Sequence, residues 1–429
     1  MKALLLAAGE GRRTRPLTNT TPKPLLRAAN KPIIEYNIDA IWDMCEEIYV
    51  VVGYLKEKII KYLDTRYNKT GKEKIKFIIQ DQPLGTGNAV LIAKNLIGED
   101  IKRFLVINGD DIYCKEDLLE ISRMEYAILS KEVLNPEFFG ILKIDKFLRI
   151  QEIIEKPKDF VSNLASLGCY ILPTKIFEAL KSSSKSLRGE IELPSAINSI
   201  AKEFDIKAVK SKGYWLPIGY PWTLLDANEE ILKKTKGLIK GKVFEGASIE
   251  GSVVIGEDTI ILPGSRIEGP VIIGKNCKIG PNCYIRAYSS IGDNCHIGNG
   301  TEVKNSIIMN NSNAPHLNYV GDSIIGENCN LGAGTIIANL RHDGKTIKSE
   351  YDGVLIDSNR RKLGTIIGDQ VKTAINTSIY PGRKIYPLKS TSPGEKVEKD
   401  IKWIKNKMSF NSSHLLLSRY IIHQSQKEE

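Results

Sequence analysis

From residue 243 onward an aliphatic side chain returns at every sixth position: Val243, Ile249, Ile255, Ile261, Ile267, Ile273, Ile279, Ile285, Ile291, Ile297 and Val303. Neither a helix nor a plain strand has this period, because their side chains repeat near 3.6 and 2 residues. A coil built of three short edges, six residues to the edge, does. Two positions ahead of these aliphatics runs a second series, Ala247, Val253, Thr259, Ser265, Val271, Cys277, Cys283, Ser289, Cys295 and Thr301, all small or β-branched. A cramped coil interior admits one aliphatic with one modest neighbour. Glycine or asparagine then supplies the tight corner, as in IGEDT, IGKNC and IGDNC. Cys277, Cys283 and Cys295 belong to the inward series, and their spacing fits no common zinc pattern. Residues 241–388 therefore predict a solenoid in which each coil pairs only with its neighbours.

The repeat falters twice. Near 309–319 the aliphatics fall out of step, returning at Ile325, Leu331 and Ile337. Over 338–365 a basic, polar segment intervenes before Ile367, Thr373, Ile379 and Ile385. Both breaks read as insertions thrown out from corners, and insertions in repeats gather on one face and often bind something. The first carries NAPHLNYVGD with His316, one of five histidines; the second carries Asn339, Arg360, Arg361 and Lys362. On residues alone, His316 is either a working imidazole or a corner histidine bonded to backbone. Residues 389–429 lose the repeat and read as a C-terminal cap and tail. Within them KDIKWIKNKM reads as a short amphipathic helix over the last coil.

A chain of 429 residues has room for two or three domains. Residues 1–230 alternate strand-like runs (KALLLAAG, EEIYVVVGY, KRFLVINGDD) with amphipathic stretches (IIEYNIDAIWDM, GNAVLIAKNLI). That alternation predicts a mostly parallel sheet covered by helices. Ligands of such sheets bind beyond the carboxyl ends of strands, so the loops after LLLAAG and FLVINGDD should share a cleft. The first loop, GEGRRTRPLTNTTPKP, lets backbone at Gly9 and Gly11 approach phosphates, with Arg13, Arg15 and Lys23 offsetting their charge. It is neither a dinucleotide fingerprint nor a P-loop. The acids of NGDD, Asp110 and Asp111, suit a magnesium site or, equally, a capped turn.

The net charge of +10 favours phosphorylated metabolites. No arginine-rich tract or aromatic–basic interleaving argues for nucleic acid, and no run of 18 apolar residues argues for a membrane span. MKALLLAAGEG is too short an apolar run for a secretory core. Seven scattered cysteines suggest a reducing cytoplasm rather than a disulfide scaffold.

Together these motifs resemble the archaeal bifunctional sugar-1-phosphate nucleotidylyltransferase/acetyltransferases, relatives of the N-acetylglucosamine-1-phosphate uridylyltransferase/glucosamine-1-phosphate acetyltransferases, over residues 1 to about 388. The resemblance implies an α/β nucleotidyltransferase domain with a Rossmann-like mixed sheet, then a left-handed parallel β-helix of hexapeptide repeats, in a homotrimer. It implies small-molecule substrates: UTP or dTTP with Mg2+, acetyl-CoA, and a sugar-1-phosphate, with UDP-N-acetylglucosamine as product. The family's LAAGxGxRxxPLT loop falls on Leu6 to Thr18. There Leu6, Ala8, Gly9 and Gly11 would hold the nucleotide, with Arg13 the catalytic arginine and Lys23 the lysine of the PKP motif. Gln80, Gly85 and Thr86 would read the base, Asp110 would bind the metal, and Gly140, Glu155 and Lys156 the sugar. In the β-helix, His316 would be general base on the 2-amino group of glucosamine-1-phosphate, or of galactosamine-1-phosphate. Arg286, Lys304, Tyr319, Asn339, Arg361 and Lys362 would hold its sugar phosphate and coenzyme.

Two positions depart from the family pattern. W-x-D-I-G reads WLPIG, with Pro217 in place of the second metal aspartate, and Asn-Ala-Gly reads SLG, with Ser166 in place of the asparagine. Two other classes share these folds: a non-catalytic regulatory subunit, and a nucleotidyltransferase whose β-helix is purely structural.

Overall fold

The structure, a computed structural model, describes residues 1–68, 73–98, 101–186 and 189–402. Lys2–Ala7, Glu47–Val52 and Arg103–Asn108 are short aliphatic runs with nearly every side chain buried. Central strands covered on both faces require that composition. Lys2–Ala7 lies between the other two, parallel to each, and Ile75–Ile79 extends the parallel set beyond Glu47–Val52. Leu164–Pro173 then pairs antiparallel with Arg103–Asn108, making the nine-stranded sheet mixed. The loops after Ala7 and after Asn108 leave adjacent parallel strands at the same end, as the sequence leads one to expect.

Beyond residue 237 the chain winds into a left-handed β-helix with three parallel sheets of eight, seven and eight strands. Ile255, Ile273 and Ile291 stack on one face, Ile261, Ile279 and Ile297 on the next, Ile267, Ile285 and Val303 on the third. All nine are at most 1% exposed. Burying each aliphatic contributes roughly 1.5–3 kcal/mol relative to exposure. Corners turn through left-handed residues, among them Asn276, Asn294 and Asn328. The inward cysteines are buried as read.

The break near 309–319 is not an insertion. Ile291 pairs with Ile308, Ile297 with Ala314, and Val303 with Val320, so the ladder is continuous. Side chains that lie 18 residues apart in earlier coils, such as Thr259 and Cys277, give way here to partners 17 apart, such as Ser306 and Ser323. Two corners, Val303 to Ile308 and Val320 to Ile325, are each a residue short, which puts a strict count of six out of phase. His316 consequently ends a strand, Asn313–His316, rather than riding an extruded loop.

The break over 338–365 is a true insertion, since Ile325 pairs with Ile367 across it. It forms an antiparallel hairpin, Lys348–Tyr351 with Val354–Asp357. The hairpin does not stand free. Ile347 joins a buried cluster with Leu26, Ile218, Trp222 and Leu225 of the first domain and with Ile307, Ile324 and Ile366, which face outward from the β-helix. Fully buried Asn228 sews the same seam, donating to the Tyr288 carbonyl at 2.8 Å and accepting from Ala29 N and Ser290 Oγ at 2.8 Å each.

Coil stacking continues past residue 388: Lys396–Val397 adds a rung to Ser378–Ile379, and Ile401 bridges to Ile385. The expected capping helix lies, from Trp403 on, outside the described residues. Among the described residues no helix is long and apolar enough to cross a membrane.

Candidate active sites

The two N-terminal loops meet at a cleft of about 220 Å³ lined by Gly11, Arg12, Arg13, Thr14, Lys23, Asp110 and Gly219. Gly11 has a left-handed backbone (φ 63°), and a Cβ there would press on Lys23, Thr14 and Thr18 at 3.1 Å. Thr14 and Thr18 donate their hydroxyls to the Gly11 carbonyl at 2.8 and 2.7 Å, fixing the loop. Lys23 is nearly buried and sets its amine 2.6 Å from the Asp110 carboxylate. Arg12 and Arg15 both pair with Glu10. Arg13 forms no ion pair among the described residues; its guanidinium lies 5.6 Å from the ring centroid of Tyr220.

Leu6 lies near the carboxyl end of the central strand Lys2–Ala7, paired with Asn108 and Val51, and Ala8 adjoins the neighbouring loop through Gly53, where a Cβ would lie 2.9 Å from the Ala8 carbonyl and 3.0 Å from that of Gln80. A side chain at Gly9 would meet no protein atom. Gln80 donates its amide to the Gly85 carbonyl at 3.2 Å and to Asn88 at 2.9 Å. Gly85 (φ 94°) tolerates no side chain, since a Cβ would sit 2.6 Å from the Ile191 carbonyl; Thr86 accepts from Leu193 N at 3.3 Å. Gly140 pairs directly with Glu155, and Lys156 (φ 46°) lies 3.7 Å from the Glu155 carboxylate. Ser166 donates to the Tyr170 hydroxyl at 3.2 Å.

Asp111, buried, is not among the residues that line this cleft. It accepts the Trp215 indole N–H at 3.3 Å and pairs across the ladder with Pro217. Burial, then the charge of Asp110, pushes its carboxyl up to about 7, against the pull of Lys23 and the indole. Among the described residues no three His, Cys, Asp or Glu side chains gather to hold a metal. With Pro217 replacing a carboxylate, one acid, Asp110, faces the cleft. That donor set fits a magnesium ion shared between one carboxylate and substrate phosphates, not a cage built by protein alone.

A second constellation lies on the β-helix. His316 is exposed, and its ring makes no hydrogen bond among the described residues, unlike a corner histidine tied to backbone. Past the corner residues Leu317 and Asn318, the next face opens at Tyr319. There Asp322, its side chain 4% exposed, gathers Lys304 at 3.4 Å, Asn305 at 2.7 Å and Asn339 at 2.6 Å; Asn339 also reaches the Tyr319 hydroxyl at 3.2 Å. Lys362 is held below its ordinary value, chiefly by the charge of Lys304 beside it. Arg361 adds charge from the next position. Arg286 is instead paired to Glu302 at 2.9 Å and packs over Tyr284. The structure thus groups Lys304, Tyr319, Asn339 and Lys362 and leaves Arg286 to its own partner.

Sequence reasoning missed the carboxylate at the centre of this group. Asp322 stood inside the stretch NAPHLNYVGD, but an aspartate at a coil corner has no mark to separate it from Asp258 or Asp293. Trp215 and Tyr220, which support Asp111 and Arg13, were missed because aromatic residues there read as ordinary core.

Comparison with known proteins places residues 2–234 in the family "Nucleotidyl transferase" and residues 267–400 in "GMPPB C-terminal domain". The chain is 46% identical over 385 residues to "Bifunctional protein GlmU" of Methanocaldococcus jannaschii, covering 90% of this chain and 92% of that one. It is 41% identical over 425 residues to the protein of that name from Methanococcus vannielii, covering 98% and 100%. It is 42% identical over 408 residues to the "Bifunctional sugar-1-phosphate nucleotidylyltransferase/acetyltransferase" of Sulfurisphaera tokodaii, covering 94% and 98%.

Proposed function

This chain belongs to the GlmU-type family of bifunctional sugar-1-phosphate nucleotidylyltransferase/acetyltransferases, and from that premise we propose which of its residues carry each reaction. It is an enzyme with both transferase activities, yielding a UDP-sugar. In the first reaction a sugar-1-phosphate oxygen attacks the α-phosphorus of UTP, or dTTP, and pyrophosphate leaves. Gly9 and Gly11 let the backbone meet the triphosphate, while Leu6, Ala8, Gln80, Gly85 and Thr86 shape the nucleoside pocket. Arg13 and Lys23 balance charge on the transferring phosphoryl group. Gly140, Glu155 and Lys156 face the sugar. A magnesium ion, when bound at Asp110, would supply further charge neutralisation at the phosphates. Lys23, already against Asp110, holds that carboxylate in place.

In the second reaction the 2-amino group of glucosamine-1-phosphate attacks the thioester of acetyl-CoA. The amine must lose a proton, and His316 takes it. Lys304 and Lys362, two like charges side by side, bind the sugar phosphate; Asn339 and Tyr319 orient the sugar, with Arg286 and Arg361 at the margin. Galactosamine-1-phosphate is the alternative acceptor. Exposed Leu317, Ile336 and Leu340 border this region. A homotrimer would cover them and bring a second β-helix against His316.

The observation that carries this reading is the group around Asp322: two lysines, Lys304 and Lys362, close together on a ladder that needs no charges for its stacking, one corner along the chain from an exposed imidazole that makes no hydrogen bond among the described residues. A test uses purified chain, acetyl-CoA and glucosamine-1-phosphate, following free thiol beside His316→Ala. Thiol release lost in the variant supports the reading. No release from folded wild-type protein with either amino-sugar phosphate overturns it and returns the β-helix to a structural part.

A further inference from the structure

The inserted hairpin is bolted to the last coils of the β-helix. Lys384, whose side chain is fully buried, donates its amine to the Glu350 carbonyl, lies 3.5 Å from the buried carboxylate of Asp400, and sits 3.4 Å from the ring centroid of Tyr351. Ser349 donates to the Gly382 carbonyl at 2.9 Å, and Lys402 pairs with the Glu350 side chain. The hairpin's other side meets the first domain. Tyr351 stands edge-on to Tyr220 at 5.4 Å and to Trp222 at 5.7 Å, and those two rings stack at 4.6 Å. Arg360, at the hairpin's return, pairs with Asp226 on the same helix, Pro221–Leu232.

This matters because of what Tyr220 holds. It follows Gly219, which lines the nucleotidyl cleft, and its ring carries Arg13. With Arg12 and Arg15 both bound to Glu10, that ring is the contact that restrains Arg13 among the described residues.

We propose that Tyr351, a residue of the β-helix domain, is a positioning residue for nucleotidyl transfer: it clamps Tyr220, and Tyr220 presents Arg13 to the triphosphate. The proposal rests on the nucleotidyltransferase reading of the N-terminal cleft given above. It makes that cleft complete only when the hairpin is seated, so the second domain serves the first reaction as well as its own. Among the described residues the Tyr351 hydroxyl has no hydrogen-bond partner at bonding distance, so the ring, not the hydroxyl, does the work.

The test compares full-length wild type with Tyr351→Ala, Tyr351→Leu and Tyr351→Phe. Leucine keeps most of the buried volume should alanine fail to fold. Three quantities are read: UTP affinity with magnesium by calorimetry, KM and kcat for nucleotidyl transfer, and kcat/KM for acetyl transfer. The leucine and alanine variants are expected to weaken UTP binding and raise its KM by about tenfold, the loss of one restrained cation–π contact. Acetyl transfer should stay within about twofold, and phenylalanine should match wild type. Unchanged UTP affinity in the leucine variant overturns the proposal, as does a parallel fall of both activities. Wild-type protein that binds UTP but releases no pyrophosphate would overturn the catalytic reading of the cleft alone, and the affinity series would still decide the role of Tyr351.

Discussion

Removing the Asp322 carboxylate should disable the second site without touching the first. Three donors converge on its two oxygens, from Lys304, Asn305 and Asn339, inside a pocket where the side chain is 4% exposed. Hydrogen bonds to a charged acceptor are each worth about 1.5–3 kcal/mol net, and donors left behind carry their own desolvation cost. In Asp322→Ala, Lys304 and Lys362 face each other with no carboxylate between them, and Asn339 loses the contact that aims it. If Lys304 forfeits one charge-assisted bond to the sugar phosphate, the loss of about 1.5–3 kcal/mol corresponds to a roughly 10- to 150-fold rise in KM. Asp322→Asn keeps the shape and one acceptor, and should fall between. The assay is thiol release at saturating acetyl-CoA with glucosamine-1-phosphate varied, and the signature is KM rising more than kcat falls. Folded Asp322→Ala with KM within twofold of wild type would refute the view that this carboxylate organises the pocket.

His316→Ala should lower kcat for acetyl transfer by about 10²–10⁴ with little change in KM, and leave pyrophosphate release from supplied N-acetylglucosamine-1-phosphate intact; thiol and pyrophosphate assays on the variant and wild type check it. Asp111 bears on pH. Because burial raises its carboxyl from the usual 3.8 to about 7, the folded chain holds a proton that the unfolded chain gives up. That stability is fully present below about pH 4 and is lost as pH rises through 7, a loss of about 4 kcal/mol. Asp111→Asn should therefore gain urea resistance over wild type in magnesium-free buffer, with an advantage that grows from pH 5 to pH 8.5; a constant difference would contradict it. Gly85→Ala, forced to φ 94° with its Cβ 2.6 Å from the Ile191 carbonyl, should destabilise the chain by about 2 kcal/mol or more, measured by denaturant midpoint.

The β-helix was legible because its interior imposes one aliphatic per edge, and Ile255 through Val303 meet that demand without exception. The seam between domains was written in the same rows and went unread. Ile272–Ile273, Ile307–Ile308, Ile324–Ile325 and Ile366–Ile367 double the aliphatic. One of each pair faces inward, and the other, at Ile307, Ile324 and Ile366, is buried under the first domain. The first break misled because a corner one residue short and an insertion look alike to a count of six. The phosphate loop was readable from its glycines and basic residues. The supports of that loop were not, because Tyr220 and Tyr351 meet only through the docking of two domains, and aromatic residues in either place read as ordinary core. Pro217 was visible as a departure; that it sits across from a buried, indole-bonded Asp111 required the pairing of the strands.

The central claim is that one chain carries two reactions at two separate places. The most direct measurement gives the purified chain UTP, magnesium, acetyl-CoA and glucosamine-1-phosphate, and follows thiol and pyrophosphate together in wild type, His316→Ala and Lys23→Met. The account predicts that His316→Ala loses thiol release yet releases pyrophosphate when N-acetylglucosamine-1-phosphate is supplied, whereas Lys23→Met releases thiol at the wild-type rate and no pyrophosphate. Loss of pyrophosphate in folded His316→Ala supplied with N-acetylglucosamine-1-phosphate, or loss of thiol release in folded Lys23→Met, would contradict it.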